Sequence, residues 1–259
     1  MSDSATLAKI QEFRAKTAAS PWTHIPRAVF ADSLTARVND GDLIDTSNVN
    51  LCGPGAFFRN MAQDYPFLYA AIAMELYDKG RSSFFSFNIK GNDKLYRWKP
   101  SGKVDPVDWV VLATFRDNEN TAWHFNSESD GFAGITMPHS LASWYKSIGY
   151  TSVDNSTNVW FTKGVDHLLK AGNYFNHGFR VNLFVNAQIL YPNTVNSSSF
   201  FPDHWVVLDS PIDVVVRHTV KFLDFKVWCW GDVKRVPLNG TVAGINLTNN
   251  YYGYVVARP

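Results

Sequence analysis

Asn50-Leu51-Cys52-Gly53-Pro54-Gly55-Ala56-Phe57-Phe58 reads as a polar loop, a single cysteine and the first turn of a helix. Pro54 suits a first helical turn, where its missing N–H leaves no bond unmade. Gly53 and Gly55 let backbone or a ligand come close. A thiol at a helix N-terminus meets unpaired N–H groups and the positive end of the helix dipole, and both favour the thiolate. The same N–H groups can stabilise an oxyanion. A cysteine ahead of a helix can equally be a small buried hydrophobe, so the rest of the chain has to be searched for a base.

The candidate base is His204, in Phe201-Pro202-Asp203-His204-Trp205-Val206-Val207-Leu208. The apolar run predicts a strand with His204 at its head, a rigid support for an imidazole. Such an imidazole would complete a nucleophile–base pair with Cys52, or it is simply a packed residue beside Trp205. The remaining histidines show no local pattern and read as structural. Cys229, between Trp228 and Trp230, reads as buried and inert. No His or Cys spacing fits a metal site, and no cofactor motif is present.

The chain has 259 residues, 46% of them hydrophobic and 15% aromatic, against 18% charged. That supports a sizeable core and excludes a disordered chain. With a formal net charge of +1 and no long run of either sign, there is no electrostatic argument for nucleic acid or an anionic membrane. The apolar stretch around Phe67 to Met74 is too short to cross a bilayer. The polar start Met1-Ser2-Asp3-Ser4 lacks a signal-peptide core. The expected location is the cytosol, or outside the cell by a route without a cleavable signal. Two cysteines make no disulfide framework, and a reduced compartment is the simpler reading. The Asn-X-Ser/Thr triplets at Asn155, Asn196, Asn239 and Asn246 then read as chance.

Apolar spacing predicts helices over 4–19, 53–63, 66–79, 105–116, 136–148 and 163–176. Residues 21–50 show no clean period and read as an irregular arm with turn chemistry at Asp40-Gly41-Asp42 and Asp45-Thr46-Ser47-Asn48. Strands are predicted from Arg180 to Leu190, at His204 to Asp209, within Val215 to Trp230 and in Thr241 to Ala257, with a short strand or loop segment at Phe84 to Ile89. The layout is α+β, mainly helical over 1–178 and mainly β over 179–259, within one domain.

Leu51-Cys52-Gly53-Pro54-Gly55-Ala56 resembles the nucleophile segment of papain-like cysteine peptidases, closest to bacterial branches with the motif Leu-Cys-Gly-Pro-x-Ala. His204-Trp205-Val206-Val207-Leu208 resembles their histidine strand, and Trp228-Cys229-Trp230-Gly231 resembles the later strand ending in Trp-Gly. The resemblance spans roughly residues 45–235. It implies a papain-like fold, with a helical lobe carrying the cysteine and an antiparallel β lobe carrying the histidine. It also implies acyl transfer through a thioester, with Cys52 as nucleophile, His204 as base and then acid, and a protein or peptide as substrate. A bacterial effector or toxin fits that branch.

Two positions depart from the family. Its oxyanion-hole glutamine, about six residues before the cysteine, is replaced by Thr46, with Asn48 and Asn50 as nearby amides. Its histidine-orienting Asn or Asp corresponds to Trp228. Asp224, Asp209 and Asp232 are the acidic candidates for that third role. Asp224 lies roughly 13 Å from Trp228 along an extended strand, and Asp209 is about as far from His204. Three other functions remain open: deamidase or acyltransferase chemistry with the same Cys–His pair, a catalytically inactive binding protein on the same papain-like scaffold whose aromatic residues line a groove, and a structural or carbohydrate-binding protein with exposed aromatic platforms.

Overall fold

Mixed helix and antiparallel sheet is what the chain forms, in a computed structural model that describes residues 4–47, 49–97, 99, 102, 104–119, 136–191, 201–236 and 242–259. It divides into two compact units, Met1–Ile135 and Thr136–Pro259. The change from helical to β expected near 178/179 falls inside the second unit, where the helices Pro138–Ser147 and Val165–Asn176 pack with the sheet.

The first unit opens with α1 (Ser4–Arg14), which buries Ile10 and Phe13 and stops short of the expected residue 19. The expected irregular arm over 21–50 is corrected by α2 (Arg27–Asn39). Its stripe of Phe30, Ala31, Leu34 and Val38 is buried; this is a helical period, obscured by the Pro and Asp residues around it. Helix α3 (Cys52–Asp64) buries every residue from Cys52 to Ala62. Helix α4 (Pro66–Lys79) starts on a proline and ends at Gly80, whose φ of 66° is the left-handed C-terminal stop. The Phe-rich segment that follows is a hairpin, β1 (Arg81–Phe84) and β2 (Phe87–Lys90), followed by α5 (Asp93–Arg97). A last helical run comprises α6 (Pro106–Asp108), a π-turn (Trp109–Ala113) and α7 (Thr114–Glu119). The loop expected over 117–135 is thus helical at its start; 120–135 lie outside the described residues.

Aromatic packing organises the interior of this unit. Phe57 and Phe58 of α3 meet Phe115 of α7 with ring centroids 5.6 and 5.1 Å apart. Phe87 joins them from the hairpin at 5.3 Å from Phe115. Such ring pairs add about 0.5–1.5 kcal/mol each beyond area burial, and they lock the Cys52 helix against α7.

The second unit contains α8 (Pro138–Ser147), β3 (Thr151–Asn155), α9 (Val165–Asn176), β4 (Arg180–Val185), β5 (His204–Leu208), β6 (Asp213–Arg217), β7 (Val220–Cys229), β8 (Asp232–Val236), β9 (Val242–Ala243), α10 (Gly244–Leu247) and β10 (Tyr251–Arg258). The expected strand over Arg180 to Leu190 ends at Val185, and Ala187–Leu190 is a 3-10 turn. The sheet order is β3-β10-β4-β5-β7-β6, with β8 and β9 also paired to β7. Every pairing is antiparallel. Strand β3 has no apolar run to announce it: its residues are mostly exposed, and it exists by pairing with β10.

Alternation gives this sheet two faces. Val181, Leu183, Val185, Val206, Leu208, Val227 and Cys229 join Leu168 and Ala171 of α9 in one core cluster. On the other face Phe184 stacks on its cross-strand partner Trp205 at 4.5 Å. The Trp205 indole N–H donates to the Thr136 carbonyl at 2.9 Å. Buried Asn182 is satisfied on the same side, accepting from Tyr145 Oη at 3.0 Å and donating to the Val255 carbonyl at 3.2 Å. Among the described residues no helix is long and apolar enough to cross a membrane.

Candidate functional site

Cys52 is the first residue of α3 and is 7% exposed. Leu51, at the N-cap position, makes no side-chain cap hydrogen bond, so the residue before Cys52 does not compete with it for the positive end of the dipole. Burial alone would favour a neutral thiol. Against it stands Arg116 on α7, itself only 7% exposed. Burial lowers the Arg116 pKa, while the Cys52 and Glu119 charges oppose that lowering. The interaction is mutual: the Arg116 guanidinium stays charged at ordinary pH, and a cation acting on Cys52 favours the thiolate over the thiol. Arg116 was not among the sequence candidates. Its signal was an arginine closing the apolar run Val110-Val111-Leu112-Ala113. The π-turn within that run adds a residue to the helical repeat and rotates α7 by about 100°, which sets the direction Arg116 takes.

The arm before Cys52 is held from both sides. Asp108 is fully buried and pairs with Arg37, accepting from Nη2 at 2.9 Å and from Nε at 3.3 Å. Its Oδ2 also accepts the Asp45 backbone N–H at 3.0 Å. Burial, opposed by Arg37, leaves the Asp108 pKa raised to about 6. Asp45 in turn accepts the Ser47 N–H at 2.7 Å, the Asx turn expected from sequence. On the other side Arg59 of α3, 1% exposed, pairs with Asp42 at 2.6 Å, and Gln63 donates to the same oxygen at 3.1 Å. Gly41 lets the two segments approach closely: a Cβ would sit 3.0 Å from the Arg59 carbonyl oxygen, tighter than an ordinary contact.

Of the three oxyanion candidates, Thr46 is buried and its hydroxyl has no hydrogen-bond partner. Asn50 is exposed, and Asn48 lies outside the described residues.

His204 heads β5, opposite Val185, and is 6% exposed. It lies on the Val206 and Leu208 face. Its Nε2 is buried without a hydrogen-bond partner. Burial first, and the Lys234 ammonium second, push the imidazole pKa down to about 3. The ring is covered by Trp230, with centroids 4.8 Å apart. Lys234 Nζ lies over that indole at 4.7 Å. Trp230 and Gly231 form the two-residue turn between β7 and β8, with φ of 56° and 74°. Both values are positive, as a type I′ hairpin turn requires. A tryptophan in the left-handed region costs about 1–2 kcal/mol. So Trp-Gly is a strained turn whose ring caps His204, where the sequence suggested the end of a strand.

None of the acidic candidates is hydrogen-bonded to His204 Nε2. Asp224 forms an ion pair with Arg235, which lowers its pKa. Asp209 follows β5, and its N–H donates to the Lys226 carbonyl at 2.9 Å. Asp232 faces Cys229 across the hairpin and is exposed. Trp228 pairs with Val207 and so lies on the sheet face opposite His204. Instead of a carboxylate, the charged group acting on His204 is a lysine. Cys229 is buried, and burial pushes its pKa up to about 12, as an inert thiol requires. The described residues contain no cluster of His, Cys, Asp or Glu that could hold a metal.

Comparison with family models, with curated proteins and with solved structures returned no match.

Proposed function

We propose that the chain is a papain-like cysteine hydrolase acting on a peptide or protein amide, with Cys52 as its nucleophile and His204 as its base. The observation that carries the reading is Cys52 at the head of a buried helix with the buried Arg116 cation acting on it. In the proposed reaction the neutral imidazole of His204 takes the Cys52 thiol proton as the sulfur attacks the acyl carbon, and the C–N bond breaks. The amine leaves with that same proton, handed on by the transient imidazolium. Water, deprotonated by the same imidazole, then cleaves the thioester and returns the thiol. Thr46 and the first N–H groups of α3 are the proposed oxyanion donors. Deamidation or acyl transfer would use the same groups with a different acceptor.

The test is the rate of Cys52 alkylation by iodoacetamide against pH, in a Cys229→Ser background. The reading expects thiolate reactivity well below the range of an ordinary thiol, near 8.5. It also expects a several-fold loss at neutral pH in Arg116→Gln and in His204→Ala. An ordinary titration, indifferent to both substitutions, would refute it.

A second reading, a non-catalytic binding protein, is favoured by the lysine beside His204 and by an exposed aromatic ledge. Trp160 is 67% exposed and Phe201 59%, with their rings 5.8 Å apart. It expects the ordinary titration.

A further inference from the structure

The strand β6, Asp213-Val214-Val215-Val216-Arg217, is exposed along its whole length. Val214 is 41% exposed, Val215 44% and Val216 61%. Among the described residues it pairs only with β7, and none of them pairs with its other edge. Natural edge strands are normally blunted by a lysine, a proline or a bulge. This one carries three consecutive valines in regular register with β7.

The hairpin fixes which backbone groups face outward. Arg217 pairs with Val220 across the two-residue turn His218-Thr219, and His218 has a φ of 57°, as a type II′ turn requires. The pair closing a two-residue hairpin is hydrogen-bonded, and hydrogen-bonded pairs then alternate along the ladder. Arg217, Val215 and Asp213 therefore direct their N–H and C=O groups to β7. Val216 and Val214 direct theirs to the open edge.

A second copy of β6, antiparallel and related by a two-fold axis at Val215, satisfies those outward groups by pairing Val214 with Val216 of the partner and the reverse. The same register sets Asp213 opposite Arg217 twice, once on each side of the axis. The charge pattern is therefore complementary to itself. Within the monomer Asp213 faces Asp224, a like charge already held by Arg235, and like charges directly opposite are unfavourable. A cation arriving from the other copy relieves that contact. Arg217 is placed for it, lying over the Phe222 ring at 5.4 Å on the Val215 face.

We infer that β6 is a self-pairing edge through which two copies of this chain form an antiparallel dimer centred on Val215. Five residues a side make a contact smaller than a standard interface of about 800 Å² per partner. The dimer is accordingly weak and concentration-dependent.

Sedimentation velocity of the full chain across a wide concentration range tests this. Wild type is expected to move from monomer to dimer as concentration rises. Asp213→Arg alone places Arg opposite Arg twice, and Arg217→Asp alone places Asp opposite Asp twice. Each is expected to weaken association by about tenfold or more, from two reversed cross-strand pairs. An equimolar mixture of the two single variants restores both opposite-charge pairs in a heterodimer and is expected to associate like wild type. Both positions are exposed, and a thermal melt of each variant confirms folding. A wild type that stays monomeric, single variants that associate undiminished, or a mixture that fails to recover would each overturn the inference.

Discussion

Replacing His204 with Gln removes a group whose protonation the fold resists, and the consequence is a change in how stability depends on pH. In the folded chain burial and Lys234 hold the imidazole pKa down at about 3, against 6.5 for an ordinary histidine. Above pH 6.5 the ring is neutral folded and unfolded, and it contributes no pH dependence. Below 6.5 the unfolded chain takes up a proton that the folded chain refuses, so stability falls as pH falls. The loss continues until the folded ring also protonates near pH 3. Between pH 7.5 and pH 5 the linkage amounts to about 2 kcal/mol, since each pKa unit is worth about 1.4 kcal/mol. Urea unfolding of wild type and His204→Gln at both pH values isolates it, because the other titrating groups are common to the pair. Wild type is expected to lose about 2 kcal/mol more than the variant on acidification. Equal losses would refute the reasoning, because the folded ring would then be accepting a proton. A smaller loss in wild type would mean that the folded chain stabilises the imidazolium.

Three further outcomes follow from the same geometry. Arg37→Met strands the buried Asp108 carboxylate and releases the arm it holds through Asp45, costing about 3–5 kcal/mol by denaturant unfolding; adding Asp108→Leu should recover part of that, and no recovery would mean the pair is not the anchor. Trp230→Asn suits the type I′ turn better than tryptophan but uncovers His204, so the imidazole titration followed by NMR should move up towards its ordinary range; an unmoved titration would assign the depression to other neighbours. Gly253→Ala needs a φ of 120° and places a Cβ 2.3 Å from the Ser156 carbonyl oxygen, so a loss of at least about 2 kcal/mol is expected, and a variant of unchanged thermal midpoint would show that the β10 backbone can shift.

Helices α3 and α4 were legible because their signals are local. Pro54 and Pro66 stand in first turns, Gly80 stops the chain in the left-handed region, and apolar residues recur every three or four positions. Strand β5 was legible for the same reason, with His204 at its head. Helix α2 was hidden because the Pro and Asp residues around it masked the Phe30, Leu34 and Val38 period. Strand β3 was hidden because its stabilisation comes from β10, about a hundred residues away, and leaves no apolar pattern of its own.

For the candidate site, the sequence by itself determined that a cysteine opens a helix and a histidine opens a strand. It also marked the absence of a glutamine at Thr46 and of an amide or acid at Trp228. Only the tertiary structure decided what charge each group feels. Arg116 acts on Cys52 from a different helix, turned by a π-turn that spacing rules do not anticipate. Lys234 and Trp230 act on His204 from the next hairpin. The helix and strand signals that a sequence displays lie within about four residues along the chain. The ionisation of a buried thiol or imidazole is set by desolvation and by charges within a few ångströms in space, and folding alone chooses those neighbours.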